Sequence, residues 1–360
     1  MSDAAPARLR LPPEWEPQAA VWLTRPHAPD TWPGVLDAAV DQWQAFADSL
    51  AEGVSVRVTQ DQGIATDDAW CRDYGPLFVQ KGRGARDEGR ENDDNRTRTG
   101  SQVPSPLAPH PSPLSAVNFR FNAWGGKYEP HGCDAAAGRL MAEAAGVPAE
   151  RIVEPGPILE GGAIDVDGRG TLLTTEQCLL NPNRNPRLTR DDYAALFADT
   201  LGVDRILWLP GGIEGDDTDG HVDDVARFIA PHTVACVVAH RDHPDYEVTR
   251  RNADTLRRGR AADDKPLTVV ELPAPEPRAF DYPADRFGPG GRSTVPASYA
   301  NFVICNGRVF VPVFGQPADD RALRALDEAM PDHAVVPVRA DVLVVGLGTL
   351  HCLSMHQPLG

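Results

Sequence analysis

Long apolar runs are missing from this sequence. None reaches the length needed to span a bilayer, and the opening MSDAAPARLRLPPEWEP has no hydrophobic stretch of the kind a secretory leader needs. The expectation is therefore a cytoplasmic protein without a membrane partner. Cysteine is sparse: six are scattered through 360 residues with no C-x-x-C pair, which argues against a disulfide frame or a structural zinc site and favours reduced thiols. Basic residues are in the minority, 35 against 52 acidic, for a net charge of -17. Such a balance repels nucleic acid and anionic lipid and attracts a small cation. Neither H-E-x-x-H nor a glycine-rich phosphate loop occurs, so no zinc-hydrolase motif and no nucleotide cofactor is supported.

With 41% hydrophobic residues, the chain can bury a substantial core. The segment 81–115, charged and then rich in Pro and Ser, reads as a disordered insertion. It separates two strand-like runs, PLFV and AVNFRFN, so it resembles an enlarged hairpin loop within one domain spanning 1–360. Leu36, Ala39, Val40, Trp43, Phe46, Ala47 and Leu50 recur at helical spacing. Further helices are predicted to begin near Asp134, Thr189, Tyr246 and Asp319, with Thr189 as an N-cap. Between them lie β-branched strands, among them VSVRV, GTLLTTE, RILWL, TVACVVA, LTVVEL, RVFVPVF and VLVVG, several closing into hairpins at Asp167-Gly168 and Asn306-Gly307. The result is an α/β fold, and five helices recurring at roughly even intervals suggest a ring of five similar modules.

Four stretches can carry chemistry. In EGDDTDGHVDD, His221 and Asp223 are two residues apart, and an extended backbone would turn both to one face. In GLGTLHCLSMHQP, a glycine-bearing turn after VLVV delivers His351 and Cys352, and a cysteine nucleophile needs its histidine only in space. DDAWCRDYGP combines Trp70, which can wall a planar cation, with Asp73, which can hydrogen-bond one. LEGGA sets Glu160 beside two glycines. Taken singly, each has an ordinary structural reading as an acidic turn, a buried thiol, a capped turn or a bulge. The segments FNAWGGKYEP and LLNPNRNP have the composition of ordered turns. A metal-dependent hydrolase would have to use His221, Asp223 and His351 as ligands, with no recognised spacing in support.

Together these segments resemble the agmatine deiminase and bacterial peptidylarginine deiminase family of the guanidine-modifying superfamily. LPPEWEPQAAVWLTRPH, WCRDYGP, FNAWGG, ILEGGAIDVDGRGTLLTTEQCLLNPNRNP, TDGHVDD, VPASYANF and GTLHCLSMHQP occur in the family's order. The resemblance implies a pentein-like, fivefold pseudosymmetric β/α propeller of ββαβ-type modules, with neither metal nor organic cofactor. It implies Cys352 as nucleophile, His221 as general acid and base, Asp73 and Asp223 as guanidinium anchors, and Glu160 as the group that orients His221. Trp70 and Asp217 match positions near the substrate. The implied reaction is hydrolysis of agmatine to N-carbamoylputrescine and ammonia through an S-alkylthiouronium on Cys352. The alternatives are another guanidino substrate (arginine, peptidylarginine or methylated arginine) and a polyamine binder without turnover. A homo-oligomer is compatible with the resemblance.

The chain departs from the family pattern in places. It has Gly346-Leu347-Gly348-Thr349 where three glycines and an Asn are usual, Ser354, Met355 and His356 in place of a Thr and Gln pattern, and Tyr74 where Thr is common.

Overall fold

The computed structural model of the protein describes residues 8–82, 114–284 and 290–360. Its repeating unit is clearest near the C-terminus. Between Val303–Cys305 and Arg308–Val313 stand Asn306 and Gly307, both at positive φ, 46° and 78°. That is the backbone of a tight two-residue turn, and the strands close into an antiparallel hairpin with Val303 opposite Phe310. The chain then forms the helix Asp319–Ala329 and returns as Ala334–Arg339, parallel to Arg308–Val313. A hairpin, a helix and a parallel third strand thus make one mixed sheet.

The same order recurs four more times. Ile164–Val166 and Thr171–Thr175 form a hairpin, followed by the helix Arg190–Leu201 and the parallel strand Arg205–Leu209. Ala226–Ala230 and Thr233–Val238 are followed by Tyr246–Arg258 and Thr268–Pro273. Leu77–Lys81 and Ser115–Val117 are followed by Gly132–Ala144 and Ile152–Val153. The fifth sheet joins the two ends of the chain. Ser354–Pro358 runs antiparallel to Gln18–Leu23, which pairs in parallel with Ser55–Val58 after the helix Leu36–Ala51. Leu9–Arg10 adds to the edge of Leu77–Lys81, and Arg278–Tyr282 with Gly291–Val295 forms a separate hairpin. The fold is α/β with mixed sheets, as expected.

Helix positions agree closely with the apolar spacing. Leu36–Ala51 buries Ala39, Trp43, Phe46, Ala47 and Leu50, and Thr189 closes a capping box with Asp192 at the start of Arg190–Leu201. Trp22, Trp32, Trp43, Phe46, Phe78 and Phe310 are fully buried in the main core. The proposed insertion falls largely on 83–113, outside the described residues, while its flanking strands pair antiparallel as a hairpin requires. All six cysteines are unpaired thiols, and among the described residues no helix is long and apolar enough to cross a membrane.

One strand was misread. Leu343–Gly346, within VLVVG, is a 3-10 turn. Side chains take the backbone groups that a sheet would have used: Gln42 Oε1 accepts from the N–H groups of Val342 and Leu343, and Trp32 Nε1 donates to the Leu343 carbonyl. With those groups satisfied locally, the segment has no need of a partner strand. Its tight turn releases the chain toward His351 and Cys352.

Candidate active site

Two glycines allow the side chains to converge. A Cβ on Gly162 would stand 2.6 Å from His221 Nδ1, 2.9 Å from Asp73 Oδ1 and 3.0 Å from Asp223 Oδ2, so only a residue without a side chain fits among the three. Gly162 also donates its N–H to Asp73 Oδ1 at 3.0 Å. A Cβ on Gly348 would meet the Trp70 ring at 2.6 Å and Cys352 Cβ at 3.0 Å. Trp70 therefore lies directly beside the nucleophile candidate. The short helical turn Cys71–Tyr74 is tied to the same place by the Arg72 N–H, which donates to the Cys352 carbonyl.

Cys352 opens onto a cavity of about 470 Å³ that is also lined by Trp70, Asp73, Trp124, Asp217 and Leu347. Asn301 Nδ2 donates to its sulfur at 3.1 Å, and Asp223 Oδ2 stands 3.7 Å away. Burial pushes the thiol pKa well above its ordinary value, and the carboxylates of Asp223, Asp224 and Asp73 push it further. Both effects favour the thiol over the thiolate.

Asp73 accepts from Trp124 Nε1 at 2.8 Å on its second oxygen. Burial raises its pKa to about 6, against the pull of a charged His221 and with the help of Asp223. His221 lies 3.6 Å from Asp73 Oδ1, and neither of its buried ring nitrogens has a hydrogen-bond partner among the described residues. Burial disfavours its charge, but Asp73, with Cys178 and Glu160, more than reverses this and holds the imidazole pKa well above normal. The expectation of an extended backbone from His221 to Asp223 is corrected: Val222–Asp224 is a 3-10 turn with His221 as its N-cap. The two side chains meet because both pack around Gly162.

Glu160 is fully buried and comes within 4.8 Å of His221, but makes no hydrogen bond to it. Its Oε1 instead accepts from Arg184 Nε at 2.8 Å, in a pair from which solvent is excluded on both sides. Asp217 lines the cavity wall, accepting a hydrogen bond from Tyr128, and burial raises its pKa. The structure therefore brings together Cys352, His221, Asp73, Asp223 and Glu160 in one buried group, with Trp70 and Asp217 on the cavity wall.

Several participants were missed as individual residues. Asn301 lies within VPASYANF, Arg184 within LLNPNRNP and Trp124 within FNAWGG, each with no charge pattern to single it out. Asp224 accepts from Asn301 Nδ2 at 3.0 Å, and its pKa is raised by burial and by Asp223. His351, a ligand in the metal-dependent alternative, has both ring nitrogens engaged by carboxylates: Nδ1 with Asp223 and Nε2 with Glu14, each at 2.7 Å. Both ring nitrogens therefore already have partners. The departures from the family pattern are also accommodated. Thr349 Oγ1 donates to Asn301 Oδ1 at 2.7 Å, the Tyr74 hydroxyl contacts Thr24 Oγ1 at 2.7 Å, and His356 stands 2.9 Å from Arg72 Nη2.

Comparison with known proteins agrees with this geometry. The agmatine deiminase of Pseudomonas syringae pv. tomato is 35% identical over 384 residues, covering 97% of this chain and 95% of that protein. That of Stutzerimonas stutzeri is 35% identical over 381 residues, with the same coverage. The structure of an Enterococcus faecalis agmatine deiminase superposes with a TM-score of 0.84 at 30% identity, covering 98% of this chain and 96% of that one. An amidinotransferase from Microseira wollei, 13% identical with a TM-score of 0.54, shares the fold alone. The profile of the Porphyromonas-type peptidyl-arginine deiminases matches residues 10–358, and this chain belongs to that family.

Proposed function

We propose that the protein hydrolyses agmatine to N-carbamoylputrescine and ammonia. The observation that carries this reading is the convergence of the Cys352 sulfur and the Asp73 carboxylate, which line one acidic cavity, with the buried Asp223 and His221 packed against them. Agmatine has a cation at each end. Asp30, Asp67 and Asp217 also line the cavity, acidic groups among which the amine tail would lie, and two relatives are agmatine deiminases. Free arginine would bring its own carboxylate into this acidic cavity, at an electrostatic cost.

A guanidinium is delocalised and charged, so its carbon is a poor electrophile. Asp73 and Asp223 supply planar hydrogen-bond acceptors that hold it, with Trp70 beside it, against the sulfur. The cation also offsets the carboxylates that keep Cys352 protonated, so the thiol releases its proton through the cavity to solvent as substrate binds and the thiolate is left facing the guanidinium carbon. The sulfur attacks the central carbon and forms a C–S bond. His221 then delivers its proton to the departing nitrogen, the C–N bond breaks and ammonia leaves. A thiouronium remains on Cys352. His221, now neutral, takes a proton from water as the oxygen attacks; cleavage of the C–S bond restores the thiolate, and the protonated ureido product gives its extra proton to solvent as it leaves. Glu160, near His221 and held by Arg184, contributes negative charge that supports the protonated imidazole.

In the same reading, the chain is one catalytic domain whose five repeated sheets are the blades of a pentein-like propeller, each module a ββαβ unit around the site. Its partner is a small guanidino cation, and a cytoplasmic setting is supported by the unpaired cysteines. The direct test is to incubate the protein with agmatine and measure ammonia and ureido product. Stoichiometric release is expected, with mass spectrometry of acid-quenched enzyme finding the thiouronium on Cys352. Turnover by Cys352→Ala at the wild-type rate would rule out the nucleophile.

A further inference from the structure

Behind Asp223, the buried His351 and the largely buried Glu14 take no part in the proposed reaction. The His351 ring is clamped between two carboxylates, Asp223 Oδ2 and Glu14 Oε1, at 2.7 Å each. Each contact needs a proton, and a neutral imidazole carries only one N–H. Asp223, His351 and Glu14 therefore compete for the protons of these two contacts and titrate as a unit.

Every charged neighbour bears on that unit. Glu14 Oε2 faces Arg227 Nη2 at 2.7 Å, while its Oε1 faces Arg72 Nη2 and His356 Nδ1, both at 3.1 Å. Burial works against the Glu14 charge, but these cations hold its carboxyl well below the usual range. Arg227 is paired in turn with Asp165. On the ring itself, burial and then Arg227 and Arg72 draw the pKa down to about 4, against the opposite pull of Glu14 and Asp223. On the cavity side, Asp223 faces His221, Asp224 and Cys352. Glu14 does not line the cavity, and its carboxylate is already engaged by His351, Arg72, His356 and Arg227.

We infer that Glu14 is a positioning residue: acting through His351, it fixes the Asp223 carboxylate so that one oxygen is anchored and the other is presented to the guanidinium. Asp223 Oδ1 fits that role, being buried and without a hydrogen-bond partner among the described residues. The arrangement follows the logic by which a buried acid orients a histidine, here carried one group further to an acidic ligand. It also explains why the N-terminal LPPEWEP is built into a site formed by the C-terminal strand: Ser354–Pro358 pairs with Gln18–Leu23 and brings Glu14 beneath His351.

This inference rests on the proposed reaction, and the test separates the two. Agmatine binding is measured by calorimetry on Cys352→Ala protein, with Glu14→Gln and Asp223→Asn added singly and together. Glu14→Gln is expected to weaken binding about 10- to 100-fold where Asp223 is present and less than about threefold where Asn replaces it. Equal losses in the two backgrounds would assign Glu14 a purely structural role and overturn the inference. His351→Asn leaves the ion pairs of Glu14 with Arg72 and Arg227 in place, so it gives the same test should Glu14→Gln fail to fold. It should weaken agmatine binding in the Asp223 background and not in the Asn background, and undiminished affinity would overturn the inference as well. Wild-type protein that releases no ammonia from agmatine overturns the reaction and the inference together; a working wild type with uncoupled variants overturns the role of Glu14 alone.

Discussion

Asn301 donates its side-chain amide to the sulfur of Cys352 across 3.1 Å, while its Oδ1 accepts from Thr349 Oγ1 at 2.7 Å and from the His351 N–H at 3.0 Å. One amide thus shapes the loop and favours the thiolate that the surrounding carboxylates oppose. Asn301→Ala should lower kcat for agmatine roughly 10- to 100-fold, the range seen when groups supporting a reactive centre are removed. Asn301→Asp should do worse, since it replaces a donor with a further negative charge. Iodoacetamide alkylation of Cys352 at pH 8 checks the cause: the Asp variant should react more slowly than wild type, and an equal rate would leave Asn301 no influence on the sulfur.

Asp73 supplies a pH prediction of two opposite signs. Burial lifts its pKa from 3.8 in the unfolded chain to about 6. A raised folded-state pKa means that the fold favours the protonated acid, so this contribution to stability is complete below about pH 4 and is lost as pH rises through about 6. The loss is roughly 3 kcal/mol. Activity runs the other way, because only the ionised group grips a cation, and kcat/KM should fall as pH drops through about 6. Asp73→Asn should therefore melt higher than wild type at pH 8, lose that advantage by pH 4, and show little turnover at either. A variant that melts lower at pH 8 would contradict this account.

The sequence made the elements and the reactive side chains legible for the same reason: both are local. Apolar spacing placed Leu36–Ala51, the Thr189 cap placed Arg190–Leu201, and Asn306-Gly307 marked a hairpin. Cys352, His221, Asp73 and Asp223 were candidates by residue type, and the family resemblance of the segments that hold them assigned their roles. The missed residues act across long separations. Glu14 reaches His351 over 337 positions, Arg184 reaches Glu160 over 24, and Asn301 reaches Cys352 over 51, and no local pattern records such pairs. VLVVG was misread because its alternative partners, Gln42 and Trp32, lie some 300 residues earlier in the chain.

Arg184 tests the value of one of those distant pairs. It donates Nε to Glu160 and Nη2 to the Thr218 carbonyl, pairs with Asp219, and has no solvent exposure on its side chain. Removing it leaves Glu160 buried without its cation, a change that typically costs about 3 to 5 kcal/mol. Arg184→Met should therefore lower the unfolding free energy by that amount, read as a fall in the urea midpoint at unchanged slope. Arg184→Met with Glu160→Gln should recover part of it, because the uncompensated charge is gone. The double variant should still turn over agmatine poorly, since His221 has lost the acid that helps to keep it protonated.

Leu347 is the departure most open to a simple substitution. It sits at φ 73° in the left-handed region, half-buried, on the wall of the Cys352 cavity. That conformation costs a residue with a side chain roughly 1 to 2 kcal/mol, which glycine would avoid. Losing the leucine forfeits partial burial worth a similar amount, so Leu347→Gly should change stability by no more than about 1 kcal/mol. Its effect should fall on the substrate. With one apolar wall withdrawn, the methylene chain of agmatine is held less closely and KM should rise severalfold, while longer guanidinoalkylamines lose less. A series of substrates differing in chain length, assayed on both proteins, decides the point: a uniform change at every length would mean that Leu347 shapes the loop without measuring the substrate.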